Sequence, residues 1–357
     1  MNNVVIPADI QTLVDIGVDQ WHAQASWPVD EEEFANLAND IFQAFGEFLG
    51  TLRPELQDVF LADLNFIAFL GQYLHAAVVS ERSNRASVVV SYSDLARPYY
   101  EPNWHANATA FRTKLSVLEK IIFRVREAVR RFRFNNQLPL LQRCFTIVRS
   151  SECWSLGAFN DDKHGYLGSS NSWVEIPYLE GFPTKSSKLS EGQRQELLQA
   201  VNRCLEDIWS RASILNDLDL SLADAARTWV ARLTDVYEQY LAVMASKRSA
   251  KLVLASGLGN TANRIMALAA KRKGAHVVAF SHGNNTCMID FNAGPFLEYA
   301  VCNEFVSISQ SVADYHTEQN RLSGWNFCSG TIFSSLETVR YQEQFQSRTP
   351  RQNKVQG

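Results

Sequence analysis

Apolar residues recur at spacings of three and four over Glu31–Leu49, where Phe34, Leu37, Ile41, Phe45 and Phe48 share one stripe, and again over Leu56–Val79. This periodicity predicts a helical N-terminal segment over residues 1–82. The pattern then changes. Ser87–Tyr92 reads Ser-Val-Val-Val-Ser-Tyr, a β-branched run that predicts a first strand closed by the turn Ser93-Asp94. A loop rich in aromatics and proline, Arg97–Trp104, leads into a long helix with Phe111, Leu115, Leu118, Ile122, Val125, Val129 and Phe132 on one stripe.

Further along, Cys144–Pro177 carries strand-like pieces around a polar loop, Asn160–Gly165. Helices are expected over Ser190–Ala212 and Ser221–Lys247, each opened by a capping-box pair, Ser190 with Gln193 and Ser221 with Asp224. Lys251–Ser256 is a short apolar strand, Gly257-Leu-Gly259-Asn260 a turn, Thr261–Lys273 a helix and Ala275–Phe280 a second strand, which together read as a βαβ unit. A strand over Tyr299–Ser307 and a helix over Ser311–Arg321 follow. Strands separated by helices predict an α/β fold, a Rossmann-like and mainly parallel sheet over residues 83–325. Residues 326–357 turn polar and read as a disordered tail.

Composition narrows the class. With 357 residues, 46% hydrophobic and 20% charged, the chain is expected to be globular. A net charge of −4 gives no global pull toward nucleic acid, and none is expected as partner. The charge is uneven, however. Residues 111–134 hold eight basic side chains against Glu119 and Glu127. Two readings stand for that helix: a core-facing stripe with a solvated basic back, the usual outcome, or a peripheral contact with a membrane surface. The six cysteines are scattered without metal-ligand spacing, so no metal site is expected and the thiols read as reduced. No basic-then-apolar leader and no spanning apolar run appears, which predicts a cytoplasmic protein, with the inner face of the plasma membrane as its alternative location.

The candidate chemistry gathers at the βαβ unit. Ligands of open parallel sheets sit beyond the carboxyl ends of the strands. Gly257, Gly259 and Asn260 open a helix straight after a strand, so their backbone and the helix N-terminus are candidates to hold a phosphate, with Arg264 one turn on. The equally plain alternative is a glycine turn that only closes strand onto helix. The turn lacks the third glycine of a dinucleotide fingerprint and the lysine of a P-loop. No acidic residue stands about 20 positions beyond it to bind a ribose. His282 leaves the second strand among Ser281, Gly283, Asn284 and Asn285, a placement suited to a general base; a structural histidine capping the loop is the rival. His276, at the other end of that strand, serves as contrast. Asp94 is expected at the ligand-binding end of the first strand, where it touches the acceptor or, equally, caps the turn. Asp161, Asp162 and His164 read mainly as a solvated turn, with contact to an acceptor sugar or a metal as the alternative, and Tyr99, Tyr100 and Trp104 as sugar-stacking or packing aromatics.

The strand ending in His282-Gly283, the Gly294-Pro295 loop, Glu298-Tyr299 beside a strand, and the Ser309–Tyr315 segment ending in Asp314-Tyr315 resemble the inter-domain region of GT-B-type transferases. The resemblance covers roughly Ala250–Ser323 and lies nearest the bacterial surface-polysaccharide glycosyltransferases and CDP-glycerol glycerophosphotransferases. It implies a nucleotide-activated donor, a glycan or lipid-linked acceptor, and His282 as the base that removes an acceptor proton. It implies no firm cofactor beyond the donor itself. Such an enzyme continues into a second Rossmann domain, which is expected here to be missing. The alternative in a different class is a non-catalytic α/β binding module that docks with a partner supplying the donor domain.

Overall fold

The computed structural model describes residues 4–19, 27–109, 116–134, 152–157, 159–167, 173–176, 188–216, 218–281, 298–323 and 330–336. In chain order the elements begin with β1 (Val5–Pro7), α1 (Ile10–Ile16), α2 (Glu31–Thr51), α3 (Pro54–Ala62), α4 (Leu64–Arg85), β2 (Val89–Ser91) and α5 (Arg97–Tyr100). Next come α6 (Val117–Phe134), β3 (Cys153–Leu156), α7 (Asp161–Leu167), β4 (Val174–Ile176), α8 (Glu191–Arg211) and α9 (Ala223–Ala245). The last are β5 (Leu252–Ala255), α10 (Thr261–Arg272), β6 (His276–Phe280), β7 (Glu304–Ser307), α11 (Gln310–Ser323) and β8 (Ile332–Ser335).

Two compact units divide the chain. One joins residues 1–111 to 188–237, the other 112–187 to 238–357. In the first, helical unit, α2 starts on a capping box in which Asp30 accepts from Glu33 N–H and Glu33 accepts from Asp30 N–H. Ser190 and Gln193 form the same box at α8, as their spacing predicts. The core is aromatic. Phe48 and Phe60 meet edge to face, Phe60 meets Trp229 likewise, and Phe66 stacks on Trp229 at 5.1 Å.

The single helix expected over Leu56–Val79 is two helices, α3 and α4, bent by 60°. They break at Asp63, which is fully buried and accepts Arg232 Nε at 2.8 Å. The first expected strand exists as β2, but it pairs in parallel with β1, Val5 opposite Val89, inside the helical unit. The domain boundary expected at 82/83 is therefore corrected: 83–111 and 188–237 belong with the helices.

The second unit is α/β. Six strands, all parallel, run in the order β4-β3-β5-β6-β7-β8. The order reverses between β3 and β5, since the chain lays β4 on one side of β3 and every later strand on the other. Val253, Leu254 and Ala255 of β5 and Val277–Phe280 of β6 are all buried, the unbroken apolar run of a strand covered on both faces. Leu254, Val278, Phe280 and Val306 pack with Phe159 and Trp173, whose rings stack at 3.8 Å. Two further expectations are corrected here. Ile332–Ser335 is the sixth strand and not part of a polar tail, held beside β7 by Ser334 Oγ donating to Glu304. Asp161–Leu167 is helix α7 and not a loop, because Asn160 caps it by accepting Lys163 N–H at 3.2 Å.

Helix α6 reverses the commoner reading of its stripe. Leu118 is 65% exposed and Val129 61%, and Ile121, Ile122 and Val125 are exposed with them, while Glu127 is only 4% exposed. Glu127 accepts Arg124 Nη1 at 2.8 Å. The buried Glu127 marks the inward side of the helix, and the apolar row on the opposite side faces solvent.

Candidate functional site at the sheet edge

The strand order reverses between β3 and β5, and the carboxyl ends of the strands at such a reversal are where open parallel sheets take their ligands. On the β3 side the chain turns at Gly157, whose φ of +76° favours glycine. Beneath it Lys163 is fully buried, and its Nζ donates to Ser155 Oγ at 2.9 Å and to Leu156 C=O at 2.8 Å. Ser155 Oγ donates onward to Gly157 C=O at 3.1 Å. A buried ammonium thus ties the end of β3 to α7.

On the β5 side Gly257 has a φ of +110°. The turn is braced from three directions. Asn260 caps α10 by accepting Asn263 N–H at 2.8 Å, and Asn263 Nδ2 donates to Gly257 C=O at 2.9 Å. The buried Glu298 carboxylate accepts Leu258 N–H at 2.9 Å. Gly259 and Asn260 are exposed at the tip, where an arriving anion meets the positive end of the α10 dipole. Among the described residues no atom lies within 4 Å of a Cβ built on Gly259. The turn itself satisfies the loop-closing role through Gly257 and Asn260, while Gly259 leaves open space.

Of the other residues expected at the site, Arg264 is fully buried one turn into α10. β6 pairs in parallel with β5, Ala255 opposite Ala279, and Ser281 N–H donates to Val306 C=O at 2.9 Å just past the strand end. The Gly257 turn and Ser281 therefore stand at one edge of the sheet. His282, Gly283, Asn284 and Asn285 lie outside the described residues. Asp94 is corrected: it follows β2, a strand of the two-stranded sheet in the helical unit and not of the six-stranded sheet, and its side chain is 88% exposed and paired with Arg97 at 3.0 Å.

His276 stands at the amino end of β6, as its role of contrast requires. It approaches Glu304 at 3.3 Å, and Tyr166 donates to the same carboxylate oxygen at 2.7 Å. Burial first, then Glu304, pushes the Tyr166 phenol up from its ordinary range. Trp104 packs on Tyr73 at 5.2 Å and Tyr100 stacks on Tyr92 at 4.6 Å, so these aromatics fill the helical unit, beside a cleft of about 210 Å³ lined by Tyr73, Tyr99 and Tyr100. Lys163 and Glu298 are the site's supports that residue-type reasoning passed over; Asn160 three residues before Lys163 was the available signal for α7.

Among the described residues, no group of three or more His, Cys, Asp or Glu is placed to hold a metal, and no single helix is long and apolar enough to cross a membrane. The topology defines an α/β protein with a parallel sheet flanked by helices and a glycine turn at the carboxyl end of β5. Compared with known proteins, no family model matches the chain, no curated protein matches its sequence, and no solved structure matches its fold.

Proposed function

We propose that the protein is a GT-B-like transferase of bacterial cell-surface polysaccharide synthesis, working in the cytoplasm on a nucleotide-activated donor and a glycan or lipid-linked acceptor. The observation that carries this reading is the parallel pairing of β5 with β6, which brings the glycine turn and Ser281, the residue before His282, to one edge of the sheet beside the strand-order reversal. A phosphate held at the exposed tip of the Gly257–Asn260 turn and a base one strand away are the two parts that such a transfer needs.

In this reading His282, neutral at its ring nitrogen, accepts the proton of an acceptor hydroxyl. The freed oxygen forms a bond to the donor's anomeric carbon, or to its phosphorus for a glycerophosphoryl group. The bond to the nucleotide's phosphate oxygen breaks and its electron pair leaves with the nucleotide. The α10 N-terminus at Gly259 and Asn260 stabilises that leaving anion. Gly283 permits close approach of the acceptor, and Asn284 and Asn285 hydrogen-bond it. His282→Ala should lower transfer by about 10²- to 10⁴-fold, the range of a lost general base, with an unchanged circular dichroism spectrum. Transfer at the wild-type rate in that variant would remove His282 from the mechanism.

A further inference from the structure

Among the described residues, the apolar row of α6 is exposed to solvent, which is costly in water. Taking about 100° per residue for a helix, Leu118, Ile121, Ile122, Val125 and Val129 lie within an arc of about 100°, with Glu127 about 180° from Leu118. All five are exposed and Glu127 is buried. A row this narrow and continuous on the outside of a helix marks an interaction surface.

Charge selects the partner. Val117–Phe134 contains Lys120, Arg124, Arg126, Arg130, Arg131 and Arg133 against Glu119 and Glu127, a local excess of four positive charges (6 − 2) in a chain whose net charge is −4. Glu127 is buried and paired with Arg124, so its charge is withdrawn from the surface. Arg124 and Arg126 are both exposed, and helical spacing sets them on opposite flanks of the apolar row. A surface that accepts apolar side chains along one line and phosphates along both of its margins is the headgroup boundary of an anionic bilayer.

We infer that α6 lies in the plane of an anionic membrane surface, its Leu118–Val129 row entering the acyl boundary and its arginines meeting lipid phosphates. This goes beyond the transferase reading and does not need it, because binding is measured without turnover. The full chain is sedimented with vesicles of phosphatidylcholine carrying about 30% phosphatidylglycerol, and with vesicles of phosphatidylcholine alone. The expected result is binding at least ~10-fold tighter to the anionic vesicles, weakened when salt is raised from about 0.1 M to about 0.5 M.

Val125→Glu with Val129→Glu, and separately Arg126→Gln with Arg133→Gln, should each weaken vesicle binding by about 10-fold or more. Val125, Val129 and Arg126 are exposed, and unfolding curves are expected to be unchanged in both variants. Wild-type protein that stays in solution with both vesicles would overturn the inference. So would variants that bind as well as wild type. A wild-type dimer that Val125→Glu with Val129→Glu converts to monomer would overturn it as well, assigning the row to a second copy of the chain.

Discussion

His316 is 1% exposed beneath β7 and β8, its Nδ1 facing the Tyr299 hydroxyl at 2.5 Å, and burial pulls its pKa from 6.5 down to about 4. The folded protein therefore keeps this imidazole neutral at a pH where the unfolded chain protonates it. Between those two values the unfolded state binds more protons, so stability is full above about pH 6.5, falls as the pH drops toward 4, and levels off below. The difference amounts to about 3 kcal/mol. His75, also lowered by burial, acts in the same direction. Urea unfolding of wild type and His316→Gln across this window should show a shallower acid loss in the variant; identical slopes would mean that His316 titrates normally in the fold.

At the same scale, Lys163 shows why side-chain type alone misleads. A lysine among Asn160, Asp161, Asp162 and His164 reads as solvated, yet the α7 cap turns it inward onto Ser155 and Leu156. The turn at Gly257 and the cap at Asn260 were legible because each carries a local reason, a positive φ and an N-cap. The burial of Arg264 was not, because its distance along the helix from the turn does not tell which way the helix faces.

The bend between α3 and α4 depends on Asp63 and Arg232, which are 169 residues apart in sequence. Removing one partner of a buried ion pair leaves the other charge uncompensated, at a cost of about 3–5 kcal/mol. Asp63→Ala should lower the unfolding free energy by that amount in a denaturant titration, and a change within about 0.5 kcal/mol, typical of surface sites, would show that the pair does not hold the bend. The apolar periodicity of Leu56–Val79 runs through Asp63, so the break could not be read locally. By contrast β5, α10 and β6 fall within a residue of the expected bounds at each end, because the period changes sharply at the glycine turn. In α6 the pattern identified the residues sharing a face; that this face is exposed and Glu127 buried was not legible locally. β1 is three residues long, too short to carry a period, and the partner of β2 was invisible for that reason.

Across the whole molecule, the chain forms the helical unit from two separate stretches, 1–111 and 188–237, and the α/β unit from two others, 112–187 and 238–357. Contacts between distant stretches leave no trace in local periodicity, which is why the boundary was expected at 82/83. The α/β class itself followed from alternation of strands and helices, and so did the edge at which ligands should be sought. The small net charge did not reveal the basic excess of α6, which the local sequence did, since a small total is compatible with a concentrated local excess.

The central claim is that the Gly257–Asn260 turn holds the phosphate of a nucleotide-activated donor and does more than close β5 onto α10. Gly259 separates the two, because its φ is unremarkable and, among the described residues, a Cβ there meets no atom within 4 Å. Isothermal titration of wild type and Gly259→Asp with CDP-glycerol, nucleotide sugars and their nucleoside diphosphates is the direct measurement. At least one nucleotide should bind the wild type, and the added carboxylate should weaken it by about 10-fold or more, a cost of about 1.4 kcal/mol, at an unchanged melting temperature. Equal binding by Gly259→Asp, or no nucleotide binding to the wild type, would contradict the site.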